Sequence, residues 1–133
     1  MYIFREICPS VTTAISRDGK KLTAAVHKYG AKILPQLFHP AYMAFPIPGT
    51  PRLIAPSFVG PYYAKEAPRP VTVEELQVII RQFGEAALRV KKAGADGVEI
   101  HAAHAHGLLG GFLSPLYNKR TDAYGGDING RLN

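Results

Sequence analysis

A single cysteine, Cys8, stands in the 133 residues. That shortage excludes an internal disulfide and any metal site built on a pair of thiolates. Long apolar runs are missing too: Lys, Arg, Pro or Gly interrupts every stretch before the roughly 20 residues that span a bilayer. The opening residues, Met1 to Ser10, hold Arg5 and Glu6 and lack an apolar core followed by a small-residue cleavage site. No secretion signal is read there, and a cytoplasmic setting is the expectation. Acidic residues are in deficit, 10 against 16 Lys and Arg for a net charge of +6, a balance that favours anionic ligands in general. The basic residues nevertheless occur singly or in pairs, without the interleaved aromatics of single-strand binders. The charge therefore reads as solvated surface, and neither nucleic acid nor membrane is an expected partner. Internal repeats and low-complexity tracts are also absent. At 47% hydrophobic and 20% charged, what remains is a soluble globular chain of one domain's length.

What is present is an alternation of helix, strand and loop. Leu22, Ala25, Val26 and Tyr29 recur at helical spacing between Asp18 and Tyr29, and Gly30 supplies a stop. Residues 31–38 follow at once, short and largely apolar, as a buried strand would, although Pro35 can donate no ladder hydrogen bond. Most of the 11 prolines gather between His39 and Pro70, so a long loop is expected there, with small local structure such as a hairpin. Thr72 ahead of Glu74 and Glu75 marks a helix start. The stripe Leu76, Ile79, Ile80, Phe83, Ala87, Leu88 and Val90 continues it and Gly94 ends it, giving a helix from Val73 to Ala93. Residues 96–100 then read as a strand that ends at His101. Strand, helix, strand with tight turns implies a parallel sheet, and ligands of parallel α/β folds sit at the carboxyl ends of the strands. Gln36 and the run from His101 fall on that rim.

His101, His104 and His106 place three imidazoles within six residues. Imidazole donates or accepts a hydrogen bond, ligates metal, or carries a proton near neutral pH. Metal ligation is disfavoured, because the two-histidine helical motif needs a spacing of four with a glutamate between, and no metal is expected. Structural histidines satisfied by the backbone are a second reading. The favoured one is a pair of donors that converge on one substrate oxygen and stabilise negative charge developing there during reduction.

Two stretches carry a specific resemblance. Gly94-Ala95-Asp96-Gly97-Val98-Glu99-Ile100-His101-Ala102-Ala103-His104, followed by residues 112–126 (Phe-Leu-Ser-Pro-Leu-Tyr-Asn-Lys-Arg-Thr-Asp-Ala-Tyr-Gly-Gly), closely resembles the signature of Old Yellow Enzyme and related NADH:flavin oxidoreductases. That family includes ene-reductases and 2-enoate and 2,4-dienoyl-CoA reductase-like members. Upstream, residues 24–39 resemble its strand ending in Gln-Leu-x-His, and Ile54-Ala55-Pro56-Ser57 resembles its Ala-Pro-Ser loop. The resemblance implies FMN as cofactor, NADH or NADPH as hydride source, and a small-molecule enone, enoate or enoyl-thioester as substrate. Gln36 matches the glutamine that hydrogen-bonds the flavin ring, a role suited to a group with one acceptor and two donors. His101 and His104 match the pair that holds the substrate's electron-withdrawing group. Arg131 resembles the arginine of the family's Glu-Asn-Arg signature and is read as an internal tie. Residues 118–126 themselves read as a turn-rich segment held by Asp and Arg hydrogen bonds, and Glu99 as a buried structural partner or a flavin-side group.

The departures are equally specific. Where the family places a proton-donating tyrosine, two or three residues after the second His, this chain has His106 and Gly107. His106 is thus the candidate proton donor. Gly110-Gly111 replaces bulkier residues, which suggests a looser backbone. The implied fold is α/β, a partial TIM (β/α)8 barrel with two to three βα units and a long loop after the first strand. A complete barrel takes about 250 residues, so the chain reads as an internal fragment: an unplaced segment over residues 1–16, then a partial FMN-binding barrel over residues 17–133. An iron-sulfur cluster would belong only to C-terminal regions beyond it. The remainder of the barrel or an oligomer partner is an expected partner, and the isolated chain is expected to be inactive. The competing reading is a truncated, non-catalytic remnant or binding module of the same fold.

Overall fold

The computed structural model describes residues 9–43, 53–58, 67–105 and 107–133. Cys8 and His106 lie outside them. In chain order the elements are α1 (Pro9–His27), β1 (Gln36–Leu37), a 3-10 turn (Ala41–Met43), β2 (Ile54–Ala55), β3 (Arg69–Pro70), α2 (Val73–Lys92), β4 (Glu99–Ile100), α3 (Gly107–Leu113) and α4 (Ile128–Leu132). Among the described residues no helix is long and apolar enough to cross a membrane. The chain divides into two compact units, one built from the residues up to Leu37 with Gln77–Ile100, the other from Phe38–Leu76 with His101–Asn133.

In the first unit β1 and β4 pair in parallel, Gln36 opposite Glu99 and Leu37 opposite Ile100. The expected strand over residues 31–38 shrinks to the part after Pro35, the residue that cannot donate to a ladder. The Pro35 carbonyl still accepts from Glu99 N at 3.0 Å, and the Ile33 carbonyl from Asp96 N at 3.1 Å. Asp96 knots the unit together: its carboxylate accepts from Lys32 Nζ at 2.8 Å and Ile33 N at 3.0 Å, and lies 2.7 Å from His27 Nε2. The Lys32 hydrogen bond, with those from His27 and Ile33, holds the Asp96 carboxyl well below the usual carboxylate range. The same knot ties down the end of α1. Thr23, one turn before His27, is buried, whereas Leu22 is 57% and Tyr29 82% exposed, so the buried face is not the apolar one that the spacing predicts.

Helix α2 follows its sequence signals closely. The Thr72 hydroxyl accepts from Glu75 N at 3.2 Å and the Glu75 carboxylate accepts from Thr72 N at 3.0 Å, a reciprocal capping box. Arg69 adds a forked pair to Glu75 at 2.8 and 2.6 Å. Leu76, Ile79 and Val90 are buried, while Ile80 and Leu88 remain about half exposed, 51% and 50%.

The second unit carries the denser core, with Ala55, Val71 and Leu108 almost wholly buried. Here β2 and β3 pair in parallel, Ile54 opposite Arg69 and Ala55 opposite Pro70. Among the described residues of the long loop the pairing is thus parallel, not the antiparallel pairing of a hairpin. Pro70 is tolerated because its neighbours make the ladder: Arg69 N donates to Leu53 O at 2.8 Å and Val71 N to Ala55 O at 2.9 Å. The turn-rich segment is held as its composition suggests. Arg120 donates to the carbonyls of Pro56 and Val71 at 2.9 and 2.7 Å and pairs with Asp122, and buried Asn118 bridges the carbonyls of Phe112 and Tyr124. Arg131 donates to the Leu113 carbonyl at 3.0 Å, a tie within this unit.

Candidate functional site

Gln36 belongs to the first unit, on β1. Its side chain is exposed, and Nε2 donates to Glu99 Oε1 at 2.9 Å across the parallel pair. Register explains the contact: directly paired residues in a parallel ladder project to the same face. Glu99 is therefore an exposed strand residue in contact with the amide, not a buried partner.

His101 and His104 belong to the second unit. Their rings lie 6.3 Å apart, centroid to centroid, inclined by 31°. His101 is half-buried with its ring edge-on to Phe38, 4.8 Å away at 80°, and His104 is exposed. Aromatic edge-to-face contact limits ring rotation, so Phe38 holds the His101 imidazole in place. The backbone after His101 bends through the left-handed region, with φ of 63° at His104 and 52° at Ala105. For residues with a Cβ that conformation costs about 1 to 2 kcal/mol each, and such strain is sustained only where surrounding contacts enforce it. They are visible here. The Tyr42 hydroxyl donates to the Ala105 carbonyl, and Leu108 N donates to the His39 carbonyl at 2.9 Å. Gly107 also has positive φ, and a Cβ there would run into the His39 carbonyl and the Phe38 ring. Gly110 and Gly111 sit buried in α3, where a Cβ would press on the Ala103 carbonyl or on Pro56 and Tyr42. They permit close packing, where the sequence suggested a looser backbone.

His39, between β1 and the 3-10 turn, is a further residue that packs against this loop. It is buried, its Nδ1 accepts from Ala41 N at 3.1 Å, and burial pushes its pKa down from 6.5 to about 4. It is neutral at pH 7 and anchors the start of the 3-10 turn. The only advance signal was its place in the Gln-Leu-x-His run. Among the described residues no group of three His, Cys, Asp or Glu converges as a metal site would need. A concavity of about 310 Å³ in the second unit is lined by Pro56, Ser57, Pro70, Arg120 and Asp122, and neither histidine borders it. Its arginine is engaged by two carbonyls and a carboxylate, which marks it as structural.

The sequence model of the NADH:flavin oxidoreductase / NADH oxidase family matches residues 15–133. NADH oxidase of Thermoanaerobacter brockii is 42% identical over 113 residues, 84% of this chain and 17% of that protein. NADPH dehydrogenase of Halalkalibacterium halodurans is 45% identical over 106 residues, 80% of this chain and 30% of that protein. The solved structure of morphinone reductase superposes with a TM-score of 0.80 at 32% identity, over 87% of this chain and 35% of that one. The chain spans between 17% and 34% of the length of curated relatives such as these.

Proposed function

Because the chain belongs to the NADH:flavin oxidoreductase / NADH oxidase family and its fold is a segment of that family's α/β barrel, we propose that it carries the substrate-gripping part of an FMN-dependent reductase of activated C=C bonds. The observation that carries this reading is the His101–His104 pair, two imidazoles on a braced, left-handed loop that begins where β4 ends. A neutral imidazole carries one ring N–H and one acceptor nitrogen. Two donors directed at one carbonyl oxygen of an α,β-unsaturated compound stabilise the enolate-like charge that grows there. His106 is the proton donor to the α-carbon in this reading, taking the place of the family's tyrosine.

The chemistry of Gln36 fits the polar edge of a flavin ring. One amide N–H is engaged by Glu99, which leaves the carbonyl oxygen and a second N–H, acceptor and donor side by side. When bound, FMN supplies the two-electron chemistry, taking reducing equivalents from NADH or NADPH and passing them to the β-carbon. The protein's part is to bind, orient and stabilise.

Both described sheets have only two strands. On the reading of residues 17–133 as one barrel segment, further strands from the rest of a barrel or from a partner complete the flavin site. The purified chain is accordingly expected to bind FMN weakly in a fluorescence titration and to be inactive by itself. A tight stoichiometric complex would show that no completing partner is needed. Within the complete barrel to which this segment would belong, the histidine roles are tested by the charge-transfer absorbance of a phenolate on oxidised flavin at matched flavin loading. Loss of a hydrogen bond to a charged oxygen costs about 1.5 to 3 kcal/mol, roughly a tenfold to hundredfold weaker phenol affinity for His104→Ala. Equal affinity in parent and variant rejects the role. Gln36→Leu should instead disturb flavin retention first.

A further inference from the structure

We infer that Glu99 is a positioning residue, which selects one orientation of the Gln36 amide and so presents its carbonyl oxygen outward to the flavin. The inference rests on the flavin reading of Gln36 given above. A primary amide is nearly symmetric in shape, and its last torsion has two wells that exchange the oxygen and the nitrogen. An exposed glutamine samples both unless a neighbour distinguishes them. An ionised carboxylate does so completely, because it accepts hydrogen bonds and donates none. With Glu99 Oε1 at 2.9 Å from Nε2, the nitrogen faces Glu99 and the oxygen faces away from it.

Three features point to Glu99 in particular. It is the residue registered opposite Gln36 in the parallel pair, so the backbone ladder fixes the spacing of the two side chains. Both residues are exposed on the sheet, so the contact is not a requirement of filling a core. Among the described residues no Lys, Arg or His forms an ion pair with Glu99, whereas Asp96 and Glu75 both pair with cations. The carboxylate has the amide as its hydrogen-bond partner. A carboxylate that accepts from a neutral amide on a strand rim has a purpose if the amide must face a ligand one way round.

The experiment uses the purified chain with nitrogen-15 label and follows the side-chain NH2 signals of Gln36, assigned by their loss in Gln36→Leu. Parent, Glu99→Leu, Glu99→Gln and Glu99→Asp are compared, first alone and then with FMN added into the millimolar range. Glu99→Leu should move the two amide-proton shifts to those of a solvent-exposed glutamine, and Glu99→Asp should restore part of the parent's pattern. FMN should shift the parent's Gln36 signals and require at least a severalfold higher concentration in Glu99→Leu. Glu99→Gln, which keeps the size but can itself donate or accept, should fall between. Amide signals that are identical in parent and Glu99→Leu overturn the inference, whatever FMN does. A changed amide with FMN affinity equal in all the Glu99 variants, but lost in Gln36→Leu, also overturns it, by reducing the contact to a structural one. If FMN never perturbs Gln36 in the parent, the flavin reading itself fails and the inference falls with it.

Discussion

His39 makes the acid sensitivity of this chain specific to one residue. Its pKa in the fold, about 4, lies below its ordinary 6.5, so between those values the unfolded chain binds the proton more readily than the folded one. Stability therefore rises with pH across that window and falls as pH drops from 6.5 towards 4. The size is on the order of 2 to 3 kcal/mol. Glu75, held down to about 2 from 4.5 chiefly by its hydrogen bonds to Arg69, acts in the opposite window: its contribution persists above 4.5 and is lost only as pH falls towards 2. Urea unfolding at pH 7 and pH 5 should thus show a clear loss in the parent that is largely absent in His39→Asn, whose amide oxygen replaces Nδ1 as acceptor without titrating. Equal slopes in both would assign the loss elsewhere. At this scale the sequence yielded Gln36, His101 and His104 as site candidates through a motif. It did not yield the contacts that hold them, Phe38 against His101 and Glu99 against Gln36, because both are set by neighbours some 63 positions away in the chain.

Among the elements, legibility follows the range of the interactions that set each one. Helix α2 was readable almost to the residue because its cap, its acidic first turn and its glycine stop are all local. Thr72→Ala should cost about 1 kcal/mol, as loss of an N-cap usually does, measurable as a lower denaturation midpoint with unchanged m-value. No effect would mean that the Arg69–Glu75 pair alone fixes the helix start. By contrast, α1 buries Thr23 and exposes Leu22 and is tied at its end to the distant Asp96, and β2 pairs with β3 in parallel through a contact that no short-range turn signal encodes. Pro35 shows the intermediate case. Its missing N–H was visible in advance, and the ladder duly begins one residue later.

For the molecule as a whole, the apolar surface left uncovered is the counterpart of its place in a larger barrel family. Leu22, Leu34, Ile80, Leu88 and Ile100 each expose between 44% and 57% of their surface, and large apolar side chains left in water favour association where they adjoin. The purified chain is expected to bind a hydrophobic dye and to self-associate in sedimentation velocity. Ile80→Lys with Leu88→Glu should reduce both while leaving helicity intact, and unaltered association would exonerate the outer face of α2. The Asp96 knot bears on how such a chain is born. Its three partners, His27, Lys32 and Ile33, precede it by 69, 64 and 63 residues. At roughly 5 to 20 residues per second of synthesis, α1 and β1 wait on the order of 3 to 13 s on the ribosome before the carboxylate that closes their unit exists. Until then neither element has the carboxylate that ties it into its unit.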